Sequence, residues 1–258
     1  MMMDPFYTGE VLLMITDLRQ VNFLQDLPDH VLHEWELKLK QRQFKKNHTL
    51  IYEDDQDTDI YIVRSGSVKV FRLQEGKEII YNFFFPGEMI GELEAIYPNQ
   101  ARIASIEAME AVHAWVMSRS DFIELAEKHP SVLKRAYCQL VDHIRVLNRK
   151  VCYLSFMDVR RKTANLLLDL YYNLGREEDD RIKITYKFTH HVMANMIGVT
   201  RESLSKTLKE FQDEQLITLE QKHIYILDFE RLTAMCESDV PHPKQRRWRS
   251  EDSMPNLL

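Results

Sequence analysis

The sequence predicts an α+β chain of more than one unit: a β-rich N-terminal half, one long helix, and a helical C-terminal segment. Three observations carry this. From about Gln41 to Met117, short β-branched and aromatic runs (DIYIVR, GSVKVFR, EIIYNFFF) are separated by an Asp-Asp pair, Ser65-Gly66, Glu75-Gly76 and Pro86-Gly87. After Pro130 the run SVLKRAYCQLVDHIRVLNRKVCYLS contains neither Gly nor Pro. Two shorter helical patterns then flank Gly198. At 258 residues and 45% hydrophobic content, two modest domains with a connector are the expected organisation.

The start, MMMDPFYTGEVLLMITDL, has an apolar run only from Val11 to Ile15, no basic residues before it, and Asp4 and Glu10 around it. Neither a signal peptide nor a membrane span is expected, and residues 1–21 read as an N-terminal extension. The β runs read as an antiparallel sandwich or barrel. In GSVKVFR, Val68, Val70 and Arg72 alternate with Ser67, Lys69 and Phe71, as in a half-buried strand. Ser118 or Ser120 is placed to cap a short helix, DFIELAEKH, that stops before Pro130, which closes a first domain over residues 22–129.

Residues 130–156 form the long helix. Leu133, Tyr137, Leu140, Ile144, Leu147, Val151 and Leu154 are spaced alternately by four and three, a heptad seam. Such a stripe packs either on its own domain or on a partner helix. Continuous heptads favour the same helix of a second copy, so a homodimer is expected.

A further helix is expected from Val159 to Leu174, ending at Gly175 and followed by REEDD as an exposed turn and RIKITYKF as a strand. Thr189 is placed to cap HHVMANMIG, with Phe188 and Met193 as a hydrophobic staple. Gly198 ends that helix, and Thr200 caps the next, whose Leu204, Leu208 and Phe211 point inward. Small Ala194 lies where the two helices cross, with Met193, Ile197, Val199 and Leu204 filling the wedge. This is a helix-turn-helix pattern. The exposed face of the second helix then carries Arg201, Glu202, Ser205 and Lys206, types that read base edges, with Lys209 near phosphate. DEQLITLEQKHIYILD reads as a hairpin wing, closing a domain over 157–229. The tail, 238–258, is polar and Pro-punctuated, so disorder is expected, with KQRRWR solvated rather than seated.

The net charge of −6 gives no whole-chain sign of a nucleic-acid or membrane binder, and basic and acidic residues are equal in number between Val159 and Phe229. Cys138, Cys152 and Cys236 are too far apart for a metal motif and odd for a disulfide framework, which suits a reducing cytoplasm. Cys138 and Cys152 are idle thiols or a redox pair. No nucleophile–base pairing, HExxH or glycine-rich nucleotide loop is present, and His190-His191 point to different sides of their helix, so no enzyme is expected.

Order and motif together resemble the CRP/FNR family of bacterial transcription regulators over about residues 22–229. The stretches that carry this are IYIVRSGSVKVFR, GKEIIYNFFFPGEMIGEL, LSFMDVRRKTANLLLDL and ITYKFTHHVMANMIGVTRESLSKTLKEF. The resemblance implies a jelly-roll-like antiparallel β-roll, a dimerisation helix and a C-terminal winged helix-turn-helix. It implies double-stranded DNA as partner, a second copy of the chain, RNA polymerase if the protein activates, and no membrane. Reading residues are Thr200, Arg201, Glu202, Ser205, Lys206 and Lys209. Members with Arg-Glu and a basic residue four further on favour TGTGA-like half-sites, although here that residue is Lys206 instead of the more frequent arginine.

In cyclic-AMP-binding members a Gly-Glu-Leu turn and an Arg-Ser pair hold the phosphate and ribose, and Gly91, Glu92, Leu93 and Arg102 match. Ile103 stands where the serine is expected, and Leu147-Asn148 replace the Thr-Ser that contacts adenine. Weak or absent cyclic AMP binding is therefore expected, with the effector unidentified and Glu92 and Arg102 paired with each other. Neither an iron–sulfur cluster nor a haem is expected. The alternative is a ligand-binding regulatory module with a vestigial reader that acts through protein partners.

Overall fold

The computed structural model describes residues 14–97, 100–178, 181–236 and 246–249. The expected extension up to Leu13 and most of the expected tail lie outside the described residues. Two compact units divide the chain: a β unit (11–143 with 249–258) and a helical unit (1–10 with 144–248).

In the β unit, α1 (Asp29–Lys38) leads into β1 (Lys40–Phe44), β2 (Thr49–Ile51), β3 (Ile60–Ser65), β4 (Val68–Gln74), β5 (Lys77–Phe84) and β6 (Met89–Ile90). Then come α2 (Glu92–Ile96), β7 (Ser105–Ala108), β8 (Val112–Met117) and α3 (Arg119–Lys128). Two antiparallel sheets result, ordered β1-β8-β3-β6 and β2-β7-β4-β5. Their apolar residues meet in one core, including Ile51, Tyr61, Val63, Val68, Ile106 and Val116. The β4–β5 turn puts Glu75 and Gly76 at φ 51° and 75°, the left-handed pair that matches strand twist in a two-residue hairpin. Ser118 accepts from the Asp121 N–H, so it, and not Ser120, caps α3. Residues 14–21 pack into this unit, with Ile15, Leu18 and Val21 buried and Asp17 capping a short turn.

The expected alternation in GSVKVFR is broken. Ser67 and Lys69 are buried beside Val68, and a register shift falls between Val70 and Phe71. The bulge resets which side chains face inward. Lys69 is drawn in by two carboxylates, Glu78 and Glu107, the latter at 3.2 Å.

Helix α4 (Pro130–Phe156) opens on a proline, whose missing N–H costs nothing in the first turn. On its β-unit half, Gln139 donates to the Met89 carbonyl at 2.7 Å and Arg135 grips Asp26 at 2.7 and 2.9 Å.

The helical unit continues with α5 (Val159–Leu174), capped by Asp158, then β9 (Gly175–Glu178), β10 (Arg181–Ile184), α6 (His190–Met196), α7 (Arg201–Asp213), β11 (Ile217–Glu220), β12 (His223–Ile226) and α8 (Phe229–Ala234). The stretch expected as an exposed acidic turn is partly strand, because Glu178 lies opposite Arg181 and its carboxylate meets Lys183 Nζ at 3.1 Å. Consequently the wing is larger than a hairpin, a sheet ordered β11-β12-β10-β9. Among the described residues no helix is long and apolar enough to cross a membrane.

Candidate nucleic-acid interface and effector cluster

Local capping builds the reader. Thr189 accepts from the Val192 N–H at 3.2 Å to start α6, which ends at Met196 with Ile197 as its C-cap, before Gly198 with φ 62°. The positive φ favours glycine in the turn, and a Cβ there would meet the tip of the Leu154 side chain at 2.6 Å, which would have to move aside. Thr200 accepts from the Ser203 N–H at 3.1 Å and starts α7. Met193, Ala194, Ile197, Leu204, Leu208 and Phe211 are buried, while Val199 is only half-buried. From behind, Arg160 on α5 donates to both carboxylate oxygens of Glu214 at 2.8 and 2.6 Å and lies over the Phe211 ring. The helix is braced on its inner side.

Its outer side is open. Arg201, Glu202, Lys206 and Lys209 are exposed, and none makes a side-chain hydrogen bond or ion pair among the described residues. Ser205, expected on the exposed face, is instead half-buried and bonded to His190 Nδ1 at 2.8 Å, because the close α6–α7 crossing brings that ring over it. The hydroxyl of Thr200 is likewise taken up by capping and by Ser203 Oγ at 3.0 Å. Sequence reasoning missed His190; its place one residue after the cap Thr189 was the available signal.

On α4 the seam is uncovered. Leu133, Tyr137, Ile144, Leu147, Val151 and Leu154 are each 40–66% exposed, and Leu140 is half-buried. The opposite face buries Val132, Ala136, Gln139, Val146, Arg149 and Tyr153.

The cluster expected to meet an effector is closed by its own side chains. Gly91 adopts φ 87°, and a Cβ there would meet Arg102 Nη1 at 2.7 Å. Arg102, 2% exposed, donates from Nη1 to Glu94 Oε2 at 2.8 Å and the Gly91 carbonyl at 3.0 Å, and from Nη2 to the Asp59 carbonyl at 2.6 Å. Glu94 also accepts from the Ile103 N–H at 3.4 Å. The expected Glu92–Arg102 pair is therefore corrected: the partner is Glu94, two residues on, which one turn of α2 turns towards the guanidinium. A carboxylate directly after Gly91-Glu92-Leu93 was the sequence signal.

Glu92 instead faces His143, with Oε1 to Nδ1 at 4.0 Å. Burial pushes the Glu92 carboxyl up to about 7, aided by the neighbouring charge of Glu94, and pushes the His143 imidazole down to about 4. Both groups are thus held towards their neutral forms. Arg102 Nε and His143 Nε2 are buried without a hydrogen-bond partner among the described residues. Leu93 and Ile103 are exposed, and Leu147 and Asn148 lie in the helical unit with exposed side chains.

The cluster KQRRWR, expected as a solvated tail, is seated where it is described: in the helical unit Arg246 and Trp248 are buried, with Arg246 on a buried carboxylate, Asp169, at 3.0 Å, and in the β unit Arg249 is buried with its Nε 3.9 Å from Glu88.

Residues 41–129 match the cyclic nucleotide-binding domain, and residues 161–235 match the Crp-like helix-turn-helix domain. The chain is similar to the CRP-like cAMP-activated global transcriptional regulator of Mycobacterium tuberculosis, 30% identical over 196 residues, covering 76% of this chain and 87% of that one. It is also 30% identical over 190 residues to the cAMP-activated global transcriptional regulator CRP of Escherichia coli, covering 71% and 88%. In fold it matches a transcriptional regulator of the CRP/FNR family from Thermus thermophilus with a TM-score of 0.64 at 24% identity, over 78% of this chain and all of that one. A β-roll ahead of a long helix and a winged reader, with 30% identity over most of two such regulators, makes this chain a member of the CRP/FNR family of DNA-binding transcription regulators.

Proposed function

We propose that the protein acts as a homodimer that reads a two-fold symmetric DNA site through α7, under the control of the β unit and without cyclic AMP as effector. The observation that carries this is the face of α7, where four charged side chains project with no partner among the described residues from a helix braced on its other side. Charged groups left free in this way are available to base edges and phosphates.

The dimer is supported by the uncovered seam of α4. A heptad stripe of apolar residues is matched by a second copy of itself, and pairing two copies sets two readers a helical turn apart on DNA. In this reading residues 22–129 are the sensor, 130–156 the dimerisation helix and 157–229 the reader. The protein works in the cytoplasm and contacts RNA polymerase if it activates. A change in the β unit alters the angle between the paired helices, and with it the spacing of the two α7 helices.

The relatives above are named as cAMP-activated. Here the guanidinium and backbone N–H suited to an anionic ligand are taken by Glu94, and Ile103 offers no hydroxyl. Selection of bound DNA from a random pool, with and without cyclic AMP, tests the whole reading. A two-fold consensus with TGTGA-like half-sites, recovered equally without nucleotide, is expected. An asymmetric consensus, or recovery only with cyclic AMP, defeats it. The equal numbers of acidic and basic residues over 159–229 favour a second reading, a regulatory module with a vestigial reader, for which no sequence is enriched.

A further inference from the structure

Residues 246–249 lie beyond the helix-turn-helix match, which ends at 235, yet Arg246 is 1% exposed. Its guanidinium donates to Asp169 Oδ1 at 3.0 Å, Asn165 Oδ1 at 2.8 Å and the Tyr153 hydroxyl at 3.3 Å. Its carbonyl accepts from Asn173 Nδ2 at 3.0 Å and Arg149 Nη2 at 3.3 Å. Two residues on, the Trp248 N–H donates to Asn173 Oδ1 at 2.7 Å, and the indole is buried. One short segment thus holds α4 through Arg149 and Tyr153, and α5 through Asn165, Asp169 and Asn173. Between those two helices runs Met157-Asp158, the joint that connects the seam helix to the reader.

The seat is firm and can also be vacated. A buried guanidinium–carboxylate contact is among the stronger hydrogen-bonded pairs, and the indole adds apolar burial. Without Arg246, Asp169 still keeps Arg149 Nε at 3.3 Å and the Tyr153 hydroxyl at 3.2 Å, so its charge is not stranded.

We propose that residues 246–248 are a clasp that seats on the Tyr153–Asn165–Asp169–Asn173 surface and fixes the α4–α5 joint, and hence the angle at which each protomer presents α7. The occupant of that surface is the chain's own C-terminal segment. The inference rests on the two-fold reading above. A stiff joint reduces the ordering cost when both readers dock at once and contributes nothing when one reader meets one half-site.

The test compares full-length wild type, Arg246→Ala and Arg247→Ala on DNA carrying two half-sites and on DNA carrying one, with hydrogen exchange followed over residues 149–173. Arg246→Ala is expected to lower affinity for two half-sites by at least about fivefold, the lower end of coupling between sites. It leaves one-half-site affinity unchanged and speeds exchange along α5, while Arg247→Ala matches wild type. Arg246→Lys, which keeps the charge and loses the fork, falls between. Unchanged two-half-site affinity overturns the clasp. So does an equal loss on both DNAs, which makes the segment a support of the reader's own fold. A wild type with no preference for two half-sites sinks the two-fold reading instead, and the exchange difference between wild type and Arg246→Ala then decides whether the clasp seats.

Discussion

Arg102 in the β unit and Arg201 on α7 are the same side chain in opposite circumstances. Arg102 is 2% exposed and commits its guanidinium to Glu94 and to the carbonyls of Gly91 and Asp59. Arg201 is exposed and commits its own to no described residue. An arginine can recognise an outside ligand only to the extent that no inside group already satisfies it. The β unit is in this sense occupied by its own carboxylate, whereas the charged face of α7 and the apolar stripe of α4 stay exposed.

The largest effect that sharpens this contrast is expected at the seam. Ile144→Lys with Leu147→Lys places like charges across the paired helices and should convert the dimer to monomer in sedimentation, with loss of about 10²–10⁴-fold in affinity for a two-half-site DNA. An unchanged dimer mass would show that the stripe is not the interface. Next comes Glu94→Ala, which leaves Arg102 buried without its carboxylate and should cost about 3–5 kcal/mol in denaturant unfolding of the β unit. If Glu94 is what excludes an anion, millimolar phosphate or cyclic AMP should raise the melting temperature of this variant and not that of wild type.

Glu92 supplies a pH dependence. Its folded-state carboxyl is raised to about 7 from the ordinary 4.5, so its contribution to stability is complete below 4.5 and is lost as pH climbs through 7. Glu92→Gln should therefore gain on wild type by about 3 kcal/mol between pH 4.5 and 7, since each tenfold change in proton affinity between the folded and unfolded chain is worth about 1.4 kcal/mol. His143 runs the other way, its contribution complete above 6.5 and lost as pH falls through about 4. A variant-to-wild-type difference that stays constant with pH would remove Glu92 from this role.

The smallest effects belong to the open face. Arg201→Ala should cost about 1–3 kcal/mol on the preferred site and relax preference at one base pair, with melting temperature unchanged. Lys209→Ala should weaken all sequences alike and flatten the salt dependence. Lys206 cannot form the bidentate fork, so discrimination at its base pair should be the softest of the half-site. Equal losses on specific and random DNA for both variants would mean that α7 does not read bases.

Much of this architecture was legible because its signals are local. Helix α5 spans Val159 to Leu174 and stops at Gly175 as read from sequence, Thr189 and Thr200 cap as expected, and Gly198 ends α6 and turns the chain. Charged side chains were legible only by type. That Lys69 would turn inward, that Ser205 would meet His190 and that Arg102 would choose Glu94 over Glu92 depended on which residues the folded chain brings within bonding distance.

By itself, then, the sequence determined the periodic elements, their caps and turns, and the heptad spacing of the apolar stripe on α4, since each is set by interactions within a few residues along the chain. Tertiary structure alone decided which charges are engaged and which are free. Arg102 bonds Asp59, 43 positions away, and Arg246 bonds Asp169, 77 positions away. At such separations a partner is selected by burial and by the cost of leaving a charge unpaired, and neither is defined until the core has closed.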